Sequence, residues 1–265
     1  MDGGLAMNLN LTDKVVFVAG SSRGIGRAIA AAVLAEGARV VLTGRDAESL
    51  AQAHDELAAA CGDRQRIFAI SGNFSIPETI EDAFNLTVGH FGGIDHLIAN
   101  LGTGSGKPGW QQVEAEWIRL FEANFFSSVR LAQAAVPHLR GRAAASILFL
   151  SSIVAIEATP APLPYSAAKA ALTNYAKNLS RLLAPEGIRV NTICPGNIFF
   201  AGGSWERHLG NRREAVEAML AAEVPQGRFG TPEEIASLAA YLCSSAAGFA
   251  TGSTYVMDGG QTRTL

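Results

Sequence analysis

Tyr165 and Lys169 stand four residues apart in the stretch PAPLPYSAAKAAL, in company that is otherwise mostly alanine and proline. On a helix that spacing gives a rise of about 6 Å and a rotation of about 40°, so both side chains share one face. A phenol titrates near about 10, and a cation within about 4–6 Å favours its anion. Such a pair can hand a proton to a developing alkoxide or take one from an alcohol. By itself the pair also suits a solvated helix face.

A second constellation lies near the start of the chain. VVFVAGSSRGIGRAIAAAV runs from an apolar strand into a helix through Gly20, Gly24 and Gly26, spaced G-x-x-x-G-x-G. A tight turn there aims backbone N–H groups at a phosphate, and the helix N-terminus adds about half a positive charge. Ser22, Arg23 and Ile25 belong to the same turn. Glycines could also serve only helix–strand packing, but a first strand–helix junction is where a dinucleotide binds. The second strand ends VVLTGRD, with Gly44 at its tip and Arg45 next. An acid at that point would hold an NAD ribose, whereas an arginine accommodates the 2′-phosphate of NADP. Gly44 leaves room and Arg45 can fork onto a phosphate, with Arg23 as a second charge, so NADP(H) is favoured over NAD(H). Asp46 reaching a ribose, and both arginines as plain surface residues, are the competing readings.

The elements that must carry these residues are legible from pattern. KVVFVAG, ARVVLTG, RIFAIS, DHLIAN, ASILFLSS and IRVNTIC are short apolar runs rich in β-branched residues, each followed by a stretch with helical spacing. Continuous apolar runs suit strands buried on both faces. The alternation predicts a doubly wound α/β parallel sheet with helices on both faces. Ser75 before Pro77 offers a helix cap, and Thr231-Pro232-Glu233-Glu234 is a capping box. Residues 1–12 read as a loose leader, with Met7 as a second candidate start, and 13–265 as a single domain. Residues 197–226, where Phe199, Phe200, Gly202, Gly203 and Trp205 mix with charges, read as a flap.

The remaining composition excludes several classes. Net charge is −3 and the longest basic cluster is Arg212-Arg213, so the footprint for a polyanion such as nucleic acid is missing. Cys61, Cys194 and Cys243 form no CxxC, and His54, His90, His96, His138 and His208 show no ligand spacing, so no metal or disulfide framework is expected. The absence of a basic-then-apolar leader, and of any run of about 18 apolar residues, disfavours secretion and membrane spanning. A cytoplasmic protein is expected.

From about Lys14 to Gly260 the sequence resembles the short-chain dehydrogenase/reductase family. Its motifs occur in order: the glycine turn, IANLG, Asn124, Ser152, YSAAK, PGNI and TGSTYVMDGG. The resemblance implies a Rossmann-like sheet of about seven strands and a catalytic tetrad of Asn124, Ser152, Tyr165 and Lys169. Ser152 precedes Tyr165 by 13 residues and follows Asn124 by 28, both at the family's intervals. Ser151 is off by one, and adjacent strand side chains point to opposite faces. Through the family, Tyr165 is the general acid/base, Ser152 donates to the substrate oxygen and Asn124 holds a water linking Lys169 to solvent. Asn73, Phe74, Asn100, Gly102, Pro195, Gly196 and Ile198 join the turn residues, Arg45, Tyr165 and Lys169 at the cofactor.

Four positions depart from the family pattern. Asn73 replaces an Asp near the adenine, and Ala99 and Leu101 flank Asn100 where Asn and Ala are usual. Phe200 replaces a Thr, removing a hydroxyl expected near the nicotinamide carboxamide or pyrophosphate. Substrate contacts are expected from GTGSGKPGW, Ile153 to Pro164 and the flap, as a mostly apolar, closing pocket. The chain looks most like the 3-oxoacyl-(acyl-carrier-protein) reductase branch. Docking an acidic carrier needs basic residues by the site mouth, yet Glu186 stands where such reductases often carry one, leaving Arg140 and Arg142 to compensate. General carbonyl reduction or secondary-alcohol oxidation ranks ahead of fatty-acid elongation. A noncatalytic NADP(H)-binding sensor would be expected to lack Tyr165 or Lys169. The alanine-rich face of SAAKAALTNYAKNL and the resemblance together suggest a homotetramer or dimer.

Overall fold

A computed structural model of the chain describes residues 8–107 and 109–264. Seven strands form one sheet, all parallel: β1 (Val15–Ala19), β2 (Arg39–Gly44), β3 (Ile67–Ser71), β4 (His96–Ala99), β5 (Ser146–Leu150), β6 (Arg189–Pro195) and β7 (Thr254–Met257). Their order is β3-β2-β1-β4-β5-β6-β7, so the chain reverses its winding between β1 and β4. A crevice opens there at the carboxyl ends, which is where open α/β sheets bind ligands. β1, β4, β5 and β6 are buried along their whole length, as their continuous apolar runs require, whereas β3 and β7 close the edges and are partly exposed.

Eight helices cover the two faces: α1 (Gly24–Ala35), α2 (Ala47–Cys61), α3 (Pro77–Phe91), α4 (Glu114–Phe121), α5 (Ser127–Leu139), α6 (Leu163–Leu183), α7 (Ser204–Glu223) and α8 (Pro232–Cys243). Strand alternation sorts the core into two layers. Val16 and Val18 face one layer, with Ile29 and Leu34 of α1, Leu50 of α2 and Ile235 of α8. Val15 and Phe17 face the other, with Ile80 and Phe84 of α3, Leu131 of α5 and Leu172 of α6. The rings of Phe17 and Phe84 stack at 4.6 Å.

Local signals explain several helix starts. Thr231 and Glu234 form the reciprocal capping box, each side chain taking the other's backbone N–H. Asp46 caps α2, its Oδ1 accepting from Ser49 N at 2.8 Å. The Ser75 cap is not made. Asn73 Oδ1 accepts from Ser75 N at 3.2 Å in an Asx turn, and the N-cap position falls on Ile76, which makes no side-chain cap.

Two expected boundaries also move. Residues 1–7 lie outside the described residues, but Leu11 is 1% exposed and belongs to the core, so the stretch before residue 13 is not wholly loose. The expected flap is mostly the helix α7. Its pattern is hard to read because Arg212 breaks the helical dihedrals (φ −150°, ψ 49°) and takes the two halves out of phase. Val216 and Leu220 of its second half form a small separate core with Val224, against which Trp205, Leu209 and Phe229 pack.

Candidate active site

The glycine turn follows β1 and is held from β2. Gly20 N donates to Thr43 Oγ1 (3.0 Å), Ser21 N to the Thr43 carbonyl (2.9 Å), and Thr43 N to Ser21 Oγ (2.8 Å). This Ser21–Thr43 pair escaped the sequence reading. Its only trace was two hydroxyl residues at neighbouring strand ends. Asn100, just past β4, donates through Nδ2 to the Gly20 carbonyl at 2.9 Å, fixing the turn across the crevice.

The cradle fits a dinucleotide phosphate. A side chain at Gly26 would run into the Gly20 carbonyl and stand 2.6 Å from Asn100 Nδ2. The first turn of α1 has no acidic residue, and its N-cap, Arg23, makes no side-chain cap, so its backbone donors face outward without an internal anion. Ile25 packs partly on the core. Ser22 lies against Gly44, 3.3 Å from where a Cβ would stand to Ser22 Oγ, and Arg45 beside it is exposed. Asp46 is already engaged as the α2 cap. Arg23 Nη1 donates to the Gly202 carbonyl at 3.4 Å.

The other predicted cofactor residues divide. Asn73 spends its amide oxygen on Ser75, and Phe74 is buried with its ring 6.1 Å from Phe17, so the Phe74 side chain belongs to the core. Pro195 ends β6, and Ile198 is buried and bridges to Gly230. A side chain at Gly196 would stand 2.7 Å from Asp258 Cβ, so this turn is packed against the strand β7 exit.

The tetrad residues converge at the carboxyl ends of β4 and β5. Lys169 is 4% exposed, and its Nζ donates to the Leu150 carbonyl at 2.7 Å. Burial pushes the ammonium down to about 8. Burial pushes the Tyr165 phenol up from its ordinary value, opposed by a hydrogen bond with Ser152. Ser151 points away: its Oγ donates to the Lys169 carbonyl (3.1 Å) and meets Thr173 Oγ1 at 2.9 Å, on the helix side. That is the separation of the two serines expected from strand alternation.

Asn124 sits in a π-turn, Glu122–Phe126, between α4 and α5. Its Nδ2 donates to the carbonyls of Leu120 (2.9 Å) and Thr103 (3.0 Å), and its Oδ1 accepts from Thr103 N (3.0 Å). The side chain thus secures the segment after β4. Gly102 backs onto it, and a Cβ there would be 3.2 Å from Lys169 Nζ. A Cβ built on Gly104 would stand 3.7 Å from Tyr165 Cε1, so this segment walls the tyrosine. Pro108 within it lies outside the described residues. Residues 262–264 close the opposite wall: Arg263 N donates to Glu157 Oε2 at 2.9 Å, and Arg263 pairs with Glu223 at 4.0 Å.

Arg140 and Arg142 are not at the site. Both precede β5, at the amino end of the sheet, where Arg140 pairs with Glu186 and Arg142 with Asp95. Asp95 also accepts from Val15 N at 2.8 Å and lies near Lys14. These arginines are spent on joining strand ends, and cannot serve as free basic residues at the mouth formed within this subunit. Among the described residues there is no metal-binding group of His, Cys, Asp and Glu, and no helix long and apolar enough to cross a membrane.

The family model described as enoyl-(acyl carrier protein) reductase matches residues 19–262. The 3-oxoacyl-(acyl-carrier-protein) reductase FabG of Vibrio cholerae is 34% identical over 252 residues, covering 95% of this chain and 98% of that protein. The Bos taurus protein named dehydrogenase/reductase SDR family member 4 is 32% identical, covering 97% and 90%. Among solved structures, L-sorbose reductase from Gluconobacter frateurii, complexed with NADPH and L-sorbose, superposes with a TM-score of 0.90 at 32% identity, covering 98% of this chain and 100% of that one.

Proposed function

The chain belongs to the short-chain dehydrogenase/reductase family and is therefore an NAD(P)-dependent oxidoreductase; within that frame we propose that it uses NADP(H) and moves a hydride between nicotinamide and a carbonyl or secondary alcohol, with Tyr165 as general acid/base. The observation that carries this reading is the gathering of Ser152, Tyr165 and a buried Lys169 beside a phosphate cradle.

The bound nicotinamide supplies or accepts the hydride. Tyr165 donates its proton to the oxygen that gains charge, and takes it back in the reverse direction. Ser152, already hydrogen-bonded to Tyr165, donates to the same oxygen and stabilises it. Lys169 stays protonated at neutral pH despite burial, so its cation is available to lower the phenol once the site is filled. The turn from Gly20 to Gly26 would hold the pyrophosphate, and Asn100 keeps that turn in shape. Arg45 would take the 2′-phosphate. Asp46 uses its Oδ1 as the cap of α2. NADPH in the similar L-sorbose reductase supports the same preference.

The FabG relatives support a second reading, reduction of a 3-oxoacyl group on acyl carrier protein. The ion pairs that occupy Arg140 and Arg142 weigh against it as a docking surface within one subunit. A noncatalytic sensor leaves the buried Lys169 without a use. Assembly as a dimer or tetramer suits α6, where Ala170 is exposed while Ala168 is buried.

The test is nicotinamide absorbance with ketones, polyols, steroids and acyl thioesters, using both cofactors, on wild type and Tyr165→Phe. Tyr165→Phe should retain cofactor binding and lose about a hundredfold to ten-thousandfold in turnover. Near-wild-type turnover of the variant would remove the acid/base assignment.

A further inference from the structure

Phe200 follows the β6 turn and reaches back over the glycine turn. A Cβ built on Gly24 would stand 2.7 Å from Cε2 and Cζ of the Phe200 ring, and one on Gly203 would stand 3.2 Å from the same atoms. The ring therefore lies directly on the turn that begins α1. The backbone donors of that first turn have no internal anion, and an aromatic ring offers them no acceptor. Gly24 has φ +55°, a left-handed conformation that side chains rarely adopt, so the face under the ring is kept bare.

The segment that carries the ring is fastened at both ends. Phe199 N donates to the Gly230 carbonyl (2.9 Å) and Gly230 N to the Asn197 carbonyl (2.9 Å). Beyond the ring, Arg23 Nη1 reaches the Gly202 carbonyl, Gly202 N donates to Glu206 Oε2 at 2.8 Å, and Gly203 N donates to the Phe200 carbonyl at 3.0 Å. The fixed part ends at Phe199, and the left-handed Gly202 (φ +75°) lies just before α7. The short piece between can rotate, taking the ring off the turn.

We propose that Phe200 gates the phosphate cradle: its ring and the cofactor pyrophosphate are alternative occupants of the Gly24 face. The proposal rests on the dinucleotide reading above. The fraction of molecules with the ring on the turn cannot bind the pyrophosphate, so apparent affinity is lowered by the fraction that is open. A dinucleotide then selects the open arrangement, and the start of α7 with Trp205 shifts with it.

The experiment compares wild type, Phe200→Ala and Phe200→Leu in titrations with NADPH, NADH and adenosine 2′-monophosphate, read by nicotinamide fluorescence and calorimetry. Phe200 is half-buried in a loop outside both main core layers, so truncation leaves the fold intact. Removing the ring should tighten NADPH by about tenfold, equivalent to about 1.4 kcal/mol. Adenosine 2′-monophosphate, which lacks a pyrophosphate, should bind wild type and variants alike. Unchanged or weaker NADPH binding by both variants overturns the gate while the cofactor reading stands. An equal gain for adenosine 2′-monophosphate overturns it too, since the ring would then act elsewhere. Failure of all three proteins to bind either dinucleotide overturns the cofactor reading and the gate with it.

Discussion

Replacing Lys169 by Met should make the protein more stable at neutral pH while abolishing its turnover. Burial lowers the ammonium from 10.5 to about 8, so at pH 7 the folded protein holds a cation that the unfolded chain would carry in water. That depression corresponds to about 3 kcal/mol of destabilisation, fully present below the folded pKa. Methionine fills similar space without charge, but it strands the Leu150 carbonyl, which now accepts from Nζ at 2.7 Å, at a cost of about 1–3 kcal/mol. The expected gain at pH 7 is about 1 kcal/mol. The sign follows from proton binding: between about 8 and 10.5 the unfolded state holds more protons, so wild-type stability rises with pH. At pH 9.5 the burden has fallen to about 1 kcal/mol, and the difference between the proteins should shrink or reverse by about 2 kcal/mol. Denaturant unfolding of both proteins at the two pH values measures this, since other titrating groups cancel in the difference. A difference that does not vary with pH would refute the buried-cation argument.

Arg45→Ala should weaken NADPH about tenfold or more, the worth of a charge-assisted hydrogen bond, and leave NADH nearly unchanged; equal losses in fluorescence titration would count against 2′-phosphate recognition. Gly26→Ala should lower stability by about 1–3 kcal/mol and impair dinucleotide binding, because its methyl group meets the Gly20 backbone rather than a movable side chain. A wild-type melting temperature with wild-type NADPH affinity would show that the turn is looser than its contacts indicate.

The central strands β1, β4, β5 and β6 were legible because each is buried by neighbours on both faces, which leaves an uninterrupted apolar run in the sequence, whereas the partly exposed edge strand β7 left none. The Thr231 capping box was legible because its partners are three residues apart. Ser75 misled for a related reason: Asn73, two residues earlier, accepts from the Ser75 backbone N–H in a local turn, and sequence alone does not rank that bond against a Ser75 side-chain cap. α7 was hidden by Arg212, whose dihedrals split one helix into two phases. At the site, the spacing of Tyr165 and Lys169 indicated a shared helix face, and alternation separated Ser152 from Ser151. The engagement of Asp46, the burial of Phe74 and the pairing of Arg140 and Arg142 depend on partners remote in sequence or on a choice between local and distant bonds. The contact of Phe200 with Gly24 joins residues far apart in the chain and left no periodic trace.

Asn124 spends both ends of its amide within the protein, on Thr103 on one side and Leu120 on the other. The segment after β4, proposed as a wall of the substrate pocket, and the helix junction beside Lys169 are thereby one mechanical piece. Specificity in this enzyme is not a detachable module. A segment after β4 grafted from a relative would import its own resting position, and the lysine environment would inherit the mismatch. Retooling the substrate range therefore requires exchanging that segment together with the π-turn that holds it.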